Sequence, residues 1–174
     1  CIRDSFSAKQ MKKIRIEDLL EREPIQIENQ QLIQDVKRKR ILVTGAAGSI
    51  GSELVRLLNK LEPAILILCD QAETPLHDIE LELHDQHSNV QCIPYLTDVN
   101  NKVRMVALFE KFNPHVVYHA AAYKHVPMME FNPEEAIKVN TLRTQILADL
   151  AIQYKVERFV MISTDKAVNP TNVM

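Results

Sequence analysis

The chain has 174 residues, 46% of them hydrophobic and 25% charged, with a formal net charge of −2. This size and apolar fraction suit one domain with a sizeable core. The near-neutral charge excludes bulk attraction to nucleic acid or anionic lipid, no apolar run approaches the ~18 residues of a membrane span, and no signal peptide is visible.

Residues 1–39 are polar and punctuated. Ile14, Ile16, Leu19 and Leu20 give a short apolar face that Pro24 ends, and a second small amphipathic stretch runs from Asn29, an N-cap candidate, through Leu32, Ile33 and Val36. This segment reads as a short helical arm or linker. Lys37 to Arg40 form a basic run that reads as a solvated lead into the first strand. From residue 40 short apolar runs alternate with helical patterns. Strands are predicted at Ile41–Thr44, Ile65–Cys69, Val90–Pro94, Val116–His119 and Phe159–Ser163. Helices are predicted at Ser49–Leu61, Thr74–Asp85, Val103–Phe112 and Pro133–Tyr154. Nearly continuous apolar strands in strict β-α alternation imply an α/β, doubly wound parallel sheet of Rossmann type, covered by helices on both faces. Residues 40–174 would be that domain, its sheet incomplete and truncated before a substrate-binding region. The chain opens at Cys1 and stops in the loop-like run Asn169 to Met174, so both ends are expected to be cuts in a longer protein. Of the three cysteines, Cys69 and Cys92 lie in apolar runs as small buried hydrophobes, which fits a reducing, cytoplasmic setting.

The densest signal is the run Thr44 to Gly51, which follows an apolar strand and opens an amphipathic helix. Gly45, Gly48 and Gly51 are the 3 glycines of the whole chain. In such a β-α turn one glycine makes the tight bend, one lets the backbone approach a pyrophosphate, and one lets the helix pack close to the strand. The helix N-terminus then offers N–H groups and the positive end of its dipole to the phosphates. Gly45, Ala47, Gly48, Ser49, Ile50 and Gly51 are therefore the candidate cradle of a dinucleotide. Asp70 ends the second strand close to the ~20 residues beyond the glycines expected of a ribose-binding acid. Its carboxylate accepts from ribose hydroxyls and repels a 2′-phosphate, so NAD is expected ahead of NADP. The alternative is an aspartate that caps or orders its own loop. His77, His84, His87, His115 and His119 form no metal-ligand set, and no metal is expected.

The spacing G-x-x-G-x-x-G resembles the extended branch of the short-chain dehydrogenase/reductase superfamily, and further segments match it in order. Asp98 and Val99 follow the third strand, where that family holds the adenine. Ala120, Ala121 and Ala122 follow the fourth, where small residues line the cofactor. Val139, Asn140 and Thr141, with Thr144, resemble the family's asparagine-containing helix. The stretches Ala121 to Pro127 and Ser163 to Thr171 are similar to signatures of the bacterial UDP-N-acetylglucosamine 4,6-dehydratases. Ile16 to Leu20 resemble the leader of their large, membrane-anchored branch of CapD-like polysaccharide biosynthesis proteins.

The resemblance implies a lyase working on a UDP-sugar, with UDP-N-acetylglucosamine as substrate and NAD (or NADP) as bound cofactor, in the synthesis of capsule, O-antigen or other glycan precursors. It implies a homo-oligomer and a parent protein anchored to the membrane through an upstream region. Transient oxidation at C4 of the hexose would acidify C5–H, a base would take that proton, an acid would protonate the C6 hydroxyl, and the stored hydride would return to C6. The resemblance assigns Asp165 as the acid, Lys166 as the base and Thr164 as the residue that orients the C4 hydroxyl. These three lie beyond the fifth strand's C-terminal end, where sites in open α/β sheets form. A capped turn with a solvated lysine is the alternative from residue types alone. Met174 stands where most extended relatives carry a tyrosine, a change characteristic of the large dehydratase branch. Tyr123, Lys124 and His125 are substrate-side candidates. Two other readings remain open: a nucleotide-sugar epimerase or reductase of the same superfamily, which calls for a Tyr-x-x-x-Lys pair, and a non-catalytic NAD-binding module, which has no need of Thr164, Asp165 and Lys166.

Overall fold

The computed structural model describes residues 30–85, 90–164 and 171–173. Asn29, the arm before it, Asp165, Lys166 and Met174 lie outside the described residues. Gln31–Met174 form one compact unit.

After a helix α1 (Gln30–Val36) the chain runs β1 (Arg40–Thr44), α2 (Ser49–Asn59), β2 (Ile65–Asp70), α3 (Glu73–Asp85), β3 (Gln91–Leu96), α4 (Lys102–Phe112) and β4 (Val116–His119). It continues through α5 (Val126–Phe131), α6 (Pro133–Ala136), a π-helical segment (Ile137–Arg143), α7 (Thr144–Gln153) and β5 (Arg158–Met161). The strands form a 5-stranded sheet in the order β3-β2-β1-β4-β5, and every pairing is parallel. The expected α/β doubly wound sheet is therefore observed.

Side-chain alternation explains why helices cover both faces. Ile41, Val43, Leu66, Leu68 and Val116 point to one face, where they pack with Val55, Leu58, Leu76 and Leu83 of α2 and α3. Leu42, Ile67, Cys69 and Val117 point to the other, against Leu108 and Phe109 of α4 and Leu147 and Leu150 of α7. Cys69 is buried and Cys92 partly so. Burial pushes their thiols up to about 12 and about 11, which keeps both protonated. The basic run before β1 is held at the surface: Lys37 pairs with Glu62 at 3.0 Å and Lys39 with Glu157 at 2.7 Å.

Several elements differ from the sequence reading. β3 lies one to two residues later than expected, at Gln91–Leu96. β5 stops at Met161 instead of Ser163, because its partner β4 has only four residues and the ladder ends at the pair His119 and Met161. Val126–Phe131 is helical although no helix was expected there; His125 precedes it and Pro127 occupies its first turn, where a missing N–H is harmless. The single helix expected over Pro133–Tyr154 is three pieces, α6, the π segment and α7. Ile137 and Leu142 are about half exposed, so the apolar periodicity across the π segment carries no record of its wider turn.

Candidate functional site

The strand order places the C-terminal ends of β1 and β4 side by side. From there the chain leaves β1 for α2 on one face and β4 for the α5–α7 group, the switch point at which ligands bind in open α/β sheets. An open cleft with a cavity volume of about 160 Å³ lies here. Gly45 and Gly48 line it on the β1 side, and Asp70 with Gln71 line it beyond β2. Asp98, Val99 and Asn100 supply the β3 side, and Ala120 to Tyr123 the β4 side.

The three glycines are not equivalent. Gly45 has φ +70, and a Cβ there would sit 2.7 Å from the peptide joining Ala120 to Ala121. A Cβ on Gly51 would collide with the carbonyl of Gly45 and come 3.0 Å from Ala46 Cα. Both glycines are thus dictated by the protein's own backbone. A Cβ on Gly48 would meet only the Gly45 carbonyl oxygen, at 3.2 Å, and Gly48 has φ −73 and ψ 168, which any residue adopts. Gly48 is also the N-cap of α2 and offers no side chain to its first-turn N–H groups. Gly48 lines the cleft, and its lack of a side chain leaves room there beside the first turn of α2. Ser49 and Ile50 form the exposed first turn of α2 and do not line the cleft.

Asp70 faces the cleft and also orders the loops around it. One carboxylate oxygen accepts from Ala47 N–H and the other from Ala72 N–H, each at 2.9 Å. The loop-ordering role is thus observed, and each oxygen keeps a second lone pair for a further donor. Asp98 closes a tight turn by accepting from the backbone and side-chain N–H groups of Asn100, at 2.8 and 3.1 Å.

The far wall is fixed by residues the sequence reading gave little weight. Asn140, on the π segment, accepts from Tyr123 N–H at 2.9 Å and donates to Tyr123 C=O at 3.0 Å. Arg143 Nε donates to Asn100 Oδ1 at 3.0 Å, and Val139 lines the cleft itself. One widened helical turn therefore grips both the β4 loop and the β3 loop. At the foot of the cleft, His119 is 3% exposed. Its Nδ1 lies 2.6 Å from Thr44 Oγ1 and its Nε2 3.0 Å from Thr144 Oγ1. Burial pushes its imidazole down to about 4, so the ring is neutral at pH 7. A histidine ending an apolar strand, level with a threonine ending the neighbouring one, was the signal available for it.

Lys124 and His125 are exposed and point to no part of the cleft lining; the His125 carbonyl accepts from Met128 N–H and Met129 N–H at the start of α5. Thr164 is exposed just beyond β5. Among the described residues no group of His, Cys, Asp and Glu could hold a metal ion, and no helix is long and apolar enough to cross a membrane.

Residues 41–174 match a family described as polysaccharide biosynthesis protein. The chain is 47% identical over 165 residues to the capsular polysaccharide biosynthesis protein CapD of Staphylococcus aureus, covering 94% of this chain and 28% of that protein. It is 35% identical over 138 residues to an inverting UDP-N-acetylglucosamine 4,6-dehydratase of Campylobacter jejuni, covering 78% of this chain and 39% of that one. Among solved structures, Pen from Bacillus thuringiensis superposes with a TM-score of 0.72 at 30% identity, over 79% of this chain and 42% of that one. A UDP-glucose 4-epimerase from Bifidobacterium longum, in complex with NAD+ and UDP, superposes with a TM-score of 0.62 at 26% identity, over 73% of this chain and 37% of that one. The chain thus spans well under half the length of these relatives. The resemblance to the extended short-chain dehydrogenase/reductases is borne out in fold and in sequence, and the chain belongs to the polysaccharide biosynthesis protein family.

Proposed function

We propose that residues 40–174 are the dinucleotide-binding part of a nucleotide-sugar 4,6-dehydratase acting on UDP-N-acetylglucosamine, with residues 1–39 as its leading arm. The observation that carries this reading is the cleft at the β1/β4 switch point, with a glycine at position 48 that the protein's own packing does not require. The turn through Gly45 and Gly48, at the entry to α2, suits a pyrophosphate, Asp70 a ribose, and the small residues Ala120 to Ala122 a flat ring laid against the β4 side. Because Asp70 is a carboxylate, NAD fits better than NADP. A nicotinamide dinucleotide supplies reversible hydride acceptance when bound.

The chain's own residues do the rest. Thr164 leaves β5 at the C-terminal edge shared with the cleft and orients the C4 hydroxyl. Lys166 takes the proton from C5, and Asp165 gives one to the departing C6 hydroxyl. Tyr123, at the mouth of the cleft, faces the sugar nucleotide, and Met174 stands at the tyrosine position of other extended relatives without exchanging a proton. Similarity to the Campylobacter dehydratase supports this chemistry, and Met174 in place of a tyrosine is what favours it over epimerisation.

The test uses the full-length protein that contains this chain, with UDP-N-acetylglucosamine in deuterated water. Product should appear as a 4-keto-6-deoxy sugar with deuterium at C5. Lys166→Met should block exchange at C5, whereas Asp165→Asn should permit exchange and fail to expel water. Each loss should be roughly 10²–10⁴ in rate, the usual worth of a positioned acid or base. Formation of a 4-epimer without loss of water, or near wild-type dehydration by both variants, refutes the assignment.

A further inference from the structure

His119 is the one described histidine enclosed on all sides, and both of its ring nitrogens are occupied. Thr44, on one side of it, is fully buried, is the last residue of β1 and directly precedes Gly45. Thr144, on the other, opens α7 immediately after the π segment that carries Asn140. Backbone bonds flank it: Ala120 N–H donates to Thr44 C=O at 3.0 Å, tying the end of β4 to β1, and Ile162 N–H to His119 C=O at 3.0 Å, tying the end of β5 to β4. The ring also lies against Phe159 of β5, centroids 6.1 Å apart. In a neutral imidazole one nitrogen donates and the other accepts, and a threonine hydroxyl does either, so both tautomers are satisfied.

An apolar side chain would fill this space without the desolvation that a buried imidazole costs. What the imidazole adds is position: two directional bonds that fix where β1 ends relative to where α7 begins. The residues just beyond it are Ala120 to Ala122, the cleft wall, whose backbone lies against Gly45 so closely that a Cβ on Gly45 would sit 2.7 Å from it. A slip of the β4 loop therefore displaces the glycine turn.

We propose that His119, through Thr44 and Thr144, is a positioning residue of the cleft, locking the glycine turn, the Ala120–Tyr123 loop and the first turn of α7 into one register. Its consequence for cofactor affinity rests on the dinucleotide reading given above; its consequence for the loops does not.

The test compares Thr144→Val with Thr144→Ser, and His119→Leu with His119→Gln, in the 174-residue chain. Backbone amide exchange is followed by mass spectrometry, and NAD is titrated by calorimetry. Thr144 does not line the cleft, and valine keeps its shape while removing the hydroxyl. Thr144→Val and His119→Leu should speed exchange in residues 45–48 and 120–124 about tenfold, the effect of one lost buried hydrogen bond. Exchange around Leu76, Ile79 and Leu83 in α3 should stay unchanged, and NAD should bind about tenfold more weakly. Thr144→Ser, which keeps the hydroxyl, should behave like the parent, and His119→Gln, whose amide reaches Thr144 but not Thr44, should fall between the parent and His119→Leu. Exchange raised uniformly along the chain, loops left unchanged, or serine behaving like valine would each overturn the proposal. If the local exchange pattern appears while the parent chain shows no NAD binding, the positioning role stands and the dinucleotide reading fails.

Discussion

Adding one methyl group at Gly51 or at Gly48, two glycines of one turn, should separate fold from function. At Gly51 the new Cβ would overlap the Gly45 carbonyl and press Ala46 Cα at 3.0 Å. Both obstacles are backbone, so α2 must move off β1. Overpacking of this kind costs ~1–3 kcal/mol and at times more, and the rigid neighbours put Gly51→Ala at the upper end. At Gly48 the Cβ meets one carbonyl oxygen at 3.2 Å, a crowding relieved by a few tenths of an ångström. Against it stands the ~0.4–1 kcal/mol gained when alanine narrows the unfolded ensemble at a compatible φ and ψ. Gly48→Ala should therefore change unfolding free energy by less than about 1 kcal/mol. Its methyl group would nevertheless stand where a pyrophosphate approaches the first turn of α2, and NAD affinity should fall at least about tenfold. Urea unfolding and calorimetric titration of the same preparations give both quantities. A Gly48→Ala protein as destabilised as Gly51→Ala, or one that binds NAD within twofold of the parent, would refute the division of labour drawn between these glycines.

Two further outcomes follow from the site. Asp70→Asn replaces one of two accepting oxygens by an NH₂ group, so either Ala47 N–H or Ala72 N–H loses its partner. NAD should bind more weakly while discrimination against NADP shrinks, because the charge that repels a 2′-phosphate is gone. Parallel titrations of both cofactors check this, and an unchanged affinity ratio counts against Asp70 as the discriminating group. The folded protein holds the His119 imidazole down at about 4, against an ordinary 6.5. As pH falls below 6.5 the unfolded chain takes up a proton there that the folded chain refuses until about 4. Stability from this group is therefore complete above pH 6.5 and is lost as pH drops toward 4, by about 3 kcal/mol in all. His119→Gln should flatten that part of the acid slope in urea unfolding at pH 4.5 and 7.5, and an unaltered slope would show that other groups carry it.

The sheet was legible because its strands are buried on both faces and so appear as short unbroken apolar runs between helical patterns. The glycine turn was legible because Gly45, Gly48 and Gly51 stand alone in a chain that otherwise has none. Asp70 was found by its place at the end of β2, but its bonds to Ala47 and Ala72 belong to loop geometry that residue order does not record. The far wall was harder. Asn140 and Arg143 act across long sequence separations on Tyr123 and Asn100, and only the folded register brings them there. His119 belongs to no metal-ligand spacing, and its partners are two hydroxyls that only the folded register brings to it. Asp165, Lys166 and Met174 were assigned by resemblance and lie beyond the described residues.

The π-helical turn at Ile137–Arg143 bears on any attempt to improve this protein by regularising its helices. An α-helix advances about 100° per residue. Deleting one residue from the widened turn would restore ordinary pitch with the flanking helices kept, and the residues left in the turn would take new angular positions, up to about that angle from the present ones. With α7 anchored in the core by Leu147 and Leu150, Asn140 would rotate away from Tyr123 and the β4 loop would lose its clasp. A designer scoring helices one at a time would count the shortened variant as better built. The redundancy of that single residue is local only, and its removal would trade a tidier helix for an unfastened cleft.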